Sequence, residues 1–555
     1  METILRPVEA SSTGSERLAV RILQAGAVAV ILAALPFRLF ELDRFFVPKE
    51  VALHATATLV ALLCVAGARR FHASKTDTLL AVFLVLSAAS AALADNPWLA
   101  VRALGVSVSG AMLFWAARSL SHAGLRAQVV NGLALAVALG ALTSLLQTYG
   151  VVSDYFSINR APGGTFGNRN FVAHLCAFGL PVLVFAALRA RSAPGFLLGA
   201  LGVGAAGAVL FITRSRAAWL ALAVVVVAIL PFAWRARRMW TKALAGRALG
   251  MALLLAAGAA GGALLPNALH WKSDNPYLET ARGLVNAREG SGAGRVLQYR
   301  HTGEIALAHP LLGVGPGNWS VHYPHYVKES DPSMSSEAGV TANPWPSSDL
   351  MAYLSERGAP AFVLLVLFFL GLAGGAWRWL RDARDSEEMM AALALTGTLV
   401  AAIVAGAFDA VLLLPAPALI VWTALGALAP PRRLAEAEEG RRPGALLRFA
   451  GALAVLAVGG VLTAKSAAQA QAMAIADGSR RPVRLEEASA LDPGSYRIHV
   501  MLAEAYARRG QCAKLKPHAE AAHALLPEAG QARQLRAQCG GSGKRRRRHR
   551  IVIPQ

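Results

Sequence analysis

Long apolar stretches alternate with short polar connections over most of this 555-residue chain. A helix needs about 20 apolar residues to cross the hydrocarbon of a bilayer, and about thirteen stretches approach that length. They are residues 18–40, 50–68, 76–94, 98–117, 127–149, 170–188, 194–213, 217–234, 248–266, 350–377, 389–411, 414–429 and 446–465. The pattern predicts an all-α, polytopic membrane protein with about 12 to 13 transmembrane helices.

The distribution of Lys and Arg predicts the orientation of these helices. Both residues concentrate in the loops that follow every second apolar stretch, and short positive loops stay in the cytoplasm. The N-terminus is therefore expected inside, and the long polar loop at 267–347 and the region after the last stretch outside. The stretch at 414–429 is short and carries Pro415 and Pro417. If it is re-entrant, the C-terminal region lies on the other side.

The composition narrows the class of protein. A chain that is 55% hydrophobic and only 16% charged is too apolar for an ordinary soluble enzyme. In a membrane protein much of the net charge of +22 serves orientation and headgroup attraction, so it does not indicate a nucleic-acid partner. Residues 1–17 are polar and show no cleavable signal, so the first stretch is expected to be an uncleaved membrane anchor.

Changes in composition divide the chain into successive regions. These are a cytoplasmic N-terminus (1–17), an N-terminal transmembrane scaffold (18–190), a transmembrane core (191–430) that includes the external loop at 267–347, a linker with the last transmembrane helix (431–465), soluble helices (466–540) and a basic tail (541–555). The soluble helices have small residues at helix crossings, Gly510 closing one helix and Pro527 at the next boundary. They resemble tetratricopeptide helical hairpins. Because a single repeat is only marginally stable alone, we expect them to pack on the membrane domain or on a partner protein.

The four cysteines have two different predicted roles. Cys64 and Cys176 lie in apolar stretches, where a small apolar role is expected. Cys512 and Cys539 lie in the soluble helices and can pair if that region is extracytoplasmic. The basic tail is expected to be a solvated, disordered end, with binding to anionic lipid or glycolipid as the alternative.

Polar motifs interrupt the membrane region at three places. Residues 159–170 are rich in Gly, Asn and Arg and form a predicted turn. Arg214 and Arg216 lie at a predicted external membrane boundary, where orientation requires no positive charge; snorkelling to headgroups is the alternative. Residues 295–309 predict an amphipathic helix, and the glycine-rich run at 313–318 follows it. That run is a poor nucleotide-binding loop, because no βαβ unit precedes it and the final glycine is missing.

These motifs occur in a characteristic order. GTFGNRN precedes the sixth apolar stretch, SRAAWLAL opens the eighth, GR-x3-Y-x10-P-x2-GVGPGN lies in the external loop, and SDLMAYLSERG opens the next stretch. Together, between Arg160 and Gly358, they resemble the O-antigen ligase and O-antigen polymerase superfamily of bacterial envelope glycosyltransferases.

The resemblance implies transfer of a glycan from an undecaprenyl-diphosphate carrier to an acceptor hydroxyl, on lipid A core or a growing polysaccharide, at the outer face of the cytoplasmic membrane. It implies no metal and no cofactor. The family's arginine positions fall on Arg216 and Arg295, and planar guanidinium groups bind a diphosphate bidentately. Further candidates for substrate binding are Arg160, Asn170, Arg214, Arg300, His322, His325 and Glu356.

One position departs from the family pattern. The family has a His eleven residues before the glycine of the last motif, and counting back from Gly358 reaches Ser347. A serine cannot accept a proton unaided at neutral pH, so the expected general base is missing. Asp349 or Glu356 could replace it, or a loop histidine, His322 or His325.

The missing base leaves a second hypothesis open. The protein could be a non-catalytic partner in glycan assembly that binds the lipid carrier and recruits proteins through its C-terminal helices. A transporter is a third possibility, but it would need ionisable residues inside the spans, and few are visible beyond Asp409.

Overall fold

The computed structural model describes residues 12–37, 43–67, 73–151, 155–157, 160–271, 273–283, 290–430 and 444–538. The regular secondary structure of these ranges is helical, apart from a single isolated antiparallel bridge between Met334 and Thr341, which agrees with the predicted all-α class. The chain forms two compact units. The first contains Met1–Trp319 and Asn343–Ala470, and the second contains Ser320–Ala342 and Gln471–Gln555.

The helices of the first unit follow the predicted apolar stretches closely. They are α1 (Gly14–Leu32), α2 (Val47–Ala66), α3 (Lys75–Ala92), α4 (Pro97–Leu120), α5 (Arg126–Thr148), α6 (Arg169–Arg189), α7 (Ala193–Ile212), α8 (Arg216–Ala236), α9 (Lys242–Leu264), α10 (Pro276–Arg282), α11 (Gly290–Ala308), α13 (Asp349–Asp382), α14 (Ser386–Phe408), α15 (Pro415–Ala427) and α16 (Ala445–Ala476), which runs on into the second unit. A short helix, α12 (Trp319–His322), lies at the first boundary between the units.

Ten helical stretches in the described residues are long and apolar enough to cross a membrane. The count is lower than the predicted 12 to 13 for physical reasons. The stretch Pro97–Thr148 contains both α4 and α5, which are separated by Gly124 in a left-handed conformation (φ 80°). Helix α1 carries charged residues in its first turns, and α15 has only 13 residues. The structure is nevertheless that of a multi-pass membrane protein.

The short helix α15 lies at the centre of the first unit. All of its residues are buried, and it packs against α4, α14, α1 and α2. A helix that is apolar on every face is stable where protein surrounds it, and Pro415 and Pro417 fall in its first turn, where proline costs no hydrogen bond. Trp422 packs against Phe114 and Phe368 with ring centroids 6.3 and 5.7 Å away.

The glycine-rich run at 313–318 folds against the motif at the start of α13. The backbone N–H groups of Val314 and Gly315 donate to the carbonyl oxygens of Ser355 and Glu356. Gly358 lies inside α13 with φ 80°, and a Cβ there would lie 2.2 Å from the Leu311 carbonyl oxygen. The glycines of both motifs therefore permit two backbones to meet, which is a structural role.

The second unit contains the C-terminal helices and a segment of the external loop. Its helices are α17 (Pro482–Leu491), α18 (Tyr496–Ala507), α19 (Cys512–Leu525) and α20 (Gly530–Gln538), and consecutive helices pack on one another. The likeness to tetratricopeptide hairpins stays a prediction. Cys512 is disulfide-bonded, whereas its predicted partner, Cys539, and the basic tail lie outside the described residues. Cys64 and Cys176 are buried and free.

Candidate anion-binding cavity

Two long helices of the first unit begin beside one cavity. Helix α6 starts at Arg169, after Asn168, whose side chain accepts from the N–H of Asn170. Helix α8 starts at Arg216, after Ser215. The unpaired N–H groups and the dipole at a helix start favour a bound anion. The chain therefore directs two helix starts and their basic side chains to one place.

The cavity has a volume of about 840 Å³ and belongs to the first unit. It is lined by Arg169, Asn170, Arg214, Ser215, Arg216, Ala217, Ser273, Asn275, Leu278, Glu279, Thr280, Arg282, Gly283 and Arg295. Among these described residues five are arginines and one, Glu279, is acidic. Because arginine stays charged at any physiological pH, the lining carries a large excess of positive charge.

Helix α10 holds two of the arginines in place. The Nε of Arg214 donates to Thr280 Oγ1 at 2.8 Å, and its Nη2 lies 3.5 Å from the Glu279 carboxylate. The Nη1 of Arg216 donates to the carbonyl oxygen of Gly283 at 2.6 Å. Burial lowers the pKa of Arg214, but an arginine pKa starts so high that the group remains charged.

The backbone of Arg214 is held in a costly conformation, and its side chain makes a favourable aromatic contact. Its φ of 55° lies in the left-handed region, and it is the one non-glycine residue with positive φ in the described chain. Its guanidinium group also lies 4.7 Å from the centre of the Trp271 ring, and Arg169 lies 5.1 Å from the same ring. Strained backbone persists where the surrounding structure enforces it, often at functional sites.

The structure brings the two family arginines together. Arg295, near the start of α11, lines the same cavity as Arg216, and the two charges are close enough to repel each other. Arg160 lies outside the lining but acts electrostatically on Arg169. Arg300, one and a half turns after Arg295 on α11, points away: its side chain is 76% exposed and pairs with Glu304.

A carboxylate lies behind the cavity wall. Asn170 lines the cavity, and its Nδ2 lies 3.3 Å from Oδ2 of Asp409, which is buried just after α14 ends. His174 follows Asn170 by one helical turn on α6 and is buried. Its Nε2 lies 3.5 Å from Ser215 Oγ, and its Nδ1 has no hydrogen-bond partner among the residues that the structure describes. The charges of Asp409 and Arg295 both act electrostatically on His174.

Ser347 lies near the end of α14, close to Asp409, and its backbone groups make the hydrogen bonds that hold it there. Its N–H donates to Gln298 Oε1 at 2.6 Å. The hydroxyl of Tyr299 donates to the Ser347 carbonyl oxygen at 2.7 Å and lies 3.0 Å from that of Ala407, two residues before Asp409. Burial raises the pKa of Tyr299 to about 12, so this hydroxyl remains a donor at neutral pH.

The other two carboxylates proposed as replacement bases have structural contacts. Asp349 is buried, and its two oxygens accept from the N–H groups of Val411 and Leu412 at 3.0 and 2.8 Å. Glu356 is buried in an ion pair with Arg357 at 3.5 Å, and its Oε1 lies 3.4 Å from the N–H of Trp319. Neither lines the cavity. Asp349 instead fixes the segment that follows Asp409.

The two loop histidines belong to the second unit. The rings of His322 and His325 lie 6.3 Å apart, and His325 Nδ1 lies 3.7 Å from Glu528 Oε1. In the described residues no group of three or more His, Cys, Asp or Glu side chains is arranged to hold a metal ion.

Sequence reasoning missed four residues of this site: Arg169, Arg282, Asp409 and His174. Two of them carried a signal. Arg169 lies inside the GTFGNRN motif, and His174 is four residues after Asn170, on the same helix face. Asp409 is an ionisable residue inside the predicted stretch 389–411, but nothing in the sequence indicates its partner, which lies 239 positions away along the chain.

The fold and the cavity define the class of protein: a polytopic α-helical membrane protein with a cavity suited to a polyanionic group. Residues 200–366 match the model of the family described as O-Antigen ligase, so this chain carries a domain of that family. The match includes four of the five cavity arginines and Ser347. Members of the family are membrane glycosyltransferases of the bacterial envelope that act on lipid-linked glycans. No curated protein matches the chain significantly.

Proposed function

We propose that this protein transfers a glycan from an undecaprenyl-diphosphate carrier to an acceptor hydroxyl at the outer face of the cytoplasmic membrane. The observation that carries the proposal is the cavity with five arginines and one carboxylate among its described lining residues. Five arginines around one cavity repel one another, and an anion with several oxygens removes the repulsion. A diphosphate supplies such oxygens, and the bilayer beside the cavity accommodates its lipid chain.

The cavity arginines stabilise the leaving group in this mechanism. As the bond between the sugar and the diphosphate breaks, negative charge grows on the diphosphate oxygens. Arg216 and Arg295 bind those oxygens, and the starts of α6 and α8 add N–H groups and dipoles. Fixed donors aimed at developing charge lower the barrier because they need no reorganisation during the reaction. Neither a metal nor a nucleotide takes part in this step.

Asp409 is the residue we propose for the acceptor hydroxyl. It neighbours Asn170, which lines the cavity, and its Oδ1 accepts from the N–H of Ala410 at 2.9 Å. When the leaving group departs early, the sugar develops positive charge and the acceptor loses its proton late. A carboxylate is then sufficient as the proton acceptor, so His is not required at position 347. His174 is buried deeper, and we assign it a supporting role.

A deletion strain tests the proposal. Loss of the protein is expected to remove a surface polysaccharide, and the wild-type gene, but not the Arg216→Ala gene, is expected to restore it at equal protein level. The carrier-bound glycan left in the strain identifies the reaction. Full-length carrier-bound polymer indicates a ligase, and single carrier-bound repeats indicate a polymerase. An unchanged glycan profile in the deletion strain would refute the proposal.

The second candidate function is a non-catalytic partner in glycan assembly, and Ser347 is the observation that favours it. Its backbone contacts place position 347 near Asp409, through Tyr299 and Ala407. The Ser347→His variant separates the two functions. If the wild type is inactive and the variant transfers glycan to an acceptor, the assembly function is favoured. If the wild type transfers glycan, position 347 does not require a histidine.

A further inference from the structure

A small hairpin in the external loop forms part of the second unit. The N–H of Ser335 donates to the Val340 carbonyl oxygen at 2.9 Å, and that of Ala342 donates to Ser333 at 2.7 Å. The tip consists of Glu337, Ala338 and Gly339. Gly339 has φ 77°, a conformation that other residues rarely adopt. Residues 333–342 therefore form an ordered hairpin, which we call the loop hairpin.

The tip of the loop hairpin makes polar contacts with the C-terminal helices. The N–H of Gly530, at the start of α20, donates to the Ala338 carbonyl oxygen at 2.7 Å. The Tyr496 hydroxyl, at the start of α18, donates to the Glu337 carboxylate. Burial and the neighbouring Glu337 raise the pKa of Tyr496, so it stays a donor. The N–H groups of a helix's first turn have no partner in their own helix, and here the hairpin supplies one.

The fit at the tip depends on the absence of a side chain. A Cβ on Gly339 would lie 1.7 Å from the Glu528 carbonyl oxygen, much closer than atoms can approach. A Cβ on Gly530 would lie 3.2 Å from the Ala338 Cβ, which is tighter than most Cβ contacts in proteins. Glu528 also contacts His325, before the hairpin, at 3.7 Å. The turn between α19 and α20 is thus complementary in shape to the tip of the loop hairpin, where residue 339 has no side chain.

We propose that the starts of α18 and α20, with the turn Glu528–Gly530, form a peptide-binding site whose ligand is the chain's own loop hairpin. Three contacts depend on particular residues of the loop hairpin: the hydrogen bond to the Ala338 carbonyl oxygen, the contact of Tyr496 with Glu337, and the close approach of Gly339 to Glu528. They argue that the ligand is a segment of this chain. The C-terminal helices then fix the part of the external loop between Trp319 and Asn343. The same contact requires the loop and the C-terminal helices to share one side of the membrane.

An engineered disulfide tests the docking. The Ala338→Cys and Gly530→Cys substitutions are combined in the full chain, with a specific protease site inserted within 431–443. The two Cβ positions are within a few tenths of an ångström of disulfide spacing. After cleavage, the two fragments of one chain are expected to remain joined without reductant and to separate with it. Ala338→Cys combined with Gly510→Cys is the control, since nothing lies within 4 Å of a Cβ on Gly510.

Two results of this experiment would overturn the proposal. Fragments that separate without reductant would show that the hairpin does not dock. Fragments joined only between two chains would show that the hairpin docks on a second copy. Both substitutions are small, and both positions are partly exposed. Protein level and detergent extraction serve as checks of folding.

A glycine pair gives an independent test. Gly339→Ala places a Cβ into the Glu528 carbonyl, whereas Gly510→Ala imposes the same left-handed strain (φ 67°) with nothing within 4 Å. Trypsin cleavage at Lys328, which is exposed, reports release of the loop. Cleavage is expected to be about tenfold faster in Gly339→Ala and little changed in Gly510→Ala, because local opening governs cleavage. Equal rates in the two variants would contradict the proposal.

Discussion

The first unit contains two groups of arginines, and their surroundings differ. Two arginines of the helical scaffold each pair with one carboxylate: Arg118 lies 2.6 Å from Asp77, and Arg102 lies 2.8 Å from Glu50. In the cavity five arginines share the single carboxylate of Glu279 among the described lining residues. The scaffold pairs are neutral as they stand. The cavity reaches neutrality only with an added anion.

The difference separates arginines that stabilise the protein from arginines that we propose bind substrate. A charge removed from water needs a partner, and removing one member of a buried pair leaves the other uncompensated. A group of like charges lowers stability and is retained where a ligand uses it. Counting the carboxylates around each arginine therefore predicts which substitutions affect activity and which affect folding.

The largest effect is expected from the cavity arginines. Arg295→Ala should abolish glycan transfer, because it removes a donor aimed at the departing diphosphate. Arg300→Ala is the matched control on the same helix, since that side chain is 76% exposed and pairs with Glu304. The measurement is surface polysaccharide at equal protein level. Wild-type glycan in Arg295→Ala, or loss of glycan in Arg300→Ala, would break the distinction between the two groups.

Asp409 extends the comparison to the carboxylates. Asp409→Asn should lower the transfer rate by about 10² or more, the usual contribution of a general base, and should leave binding of the lipid-linked donor unchanged. Asp349→Asn addresses the structural carboxylate, whose two oxygens accept backbone N–H groups. That variant should lower the protein level or thermal stability. The idea fails if Asp409→Asn retains full transfer in purified protein.

Removing the arginine of a scaffold pair should lower stability and leave transfer unchanged. Arg118→Ala leaves Asp77 uncompensated beside Trp115, whose Nε1 donates to it at 2.9 Å. We expect a stability loss of about 3 kcal/mol, seen as a lower unfolding temperature in detergent. Transfer per folded molecule should be unchanged. A stable but inactive Arg118→Ala protein would show that the scaffold pairs also take part in substrate binding.

The smallest effect concerns basic groups that face each other in the second unit. The Nδ1 atoms of His499 and His518 lie 3.1 Å apart, with Tyr506 stacked on His518 and Asp492 and Glu486 nearby. Burial lowers the pKa of both histidines below the ordinary value of 6.5. Their neutral forms are favoured in the fold, so this stability is present above pH 6.5 and decreases as pH falls through that value.

Hydrogen exchange of α18 in the full chain measures this effect. Between about pH 7.5 and pH 5.5, protection should decrease after correction for the intrinsic exchange rate. The change should be smaller in His518→Gln, which carries one titrating group fewer. Protection that rises on acidification would show that the charged forms are favoured in the fold.

The helices could be predicted from the sequence because the bilayer sets their length. The predicted stretch 170–188 became Arg169–Arg189, and 389–411 became Ser386–Phe408. Arg216 and Arg295 were predicted from motifs, but their common cavity depends on packing between distant helices. Asp409 could not be assigned, because its neighbour Asn170 comes from another helix. The docked hairpin was likewise not predicted, since its contacts are backbone groups and a missing side chain.

The length of α15 has a consequence for where a sugar is transferred. A helix of 13 residues is about 20 Å long, about two thirds of the hydrocarbon thickness. If the segment crosses the bilayer as the sequence predicts, the non-helical residues 409–414 make up the rest of the crossing, and such backbone survives at membrane depth only inside protein. Ala410, Val411 and Leu412 are indeed buried. Under the proposed function, Asp409 would then sit beneath the level of the lipid headgroups, and an acceptor sugar would have to descend into the protein to meet it.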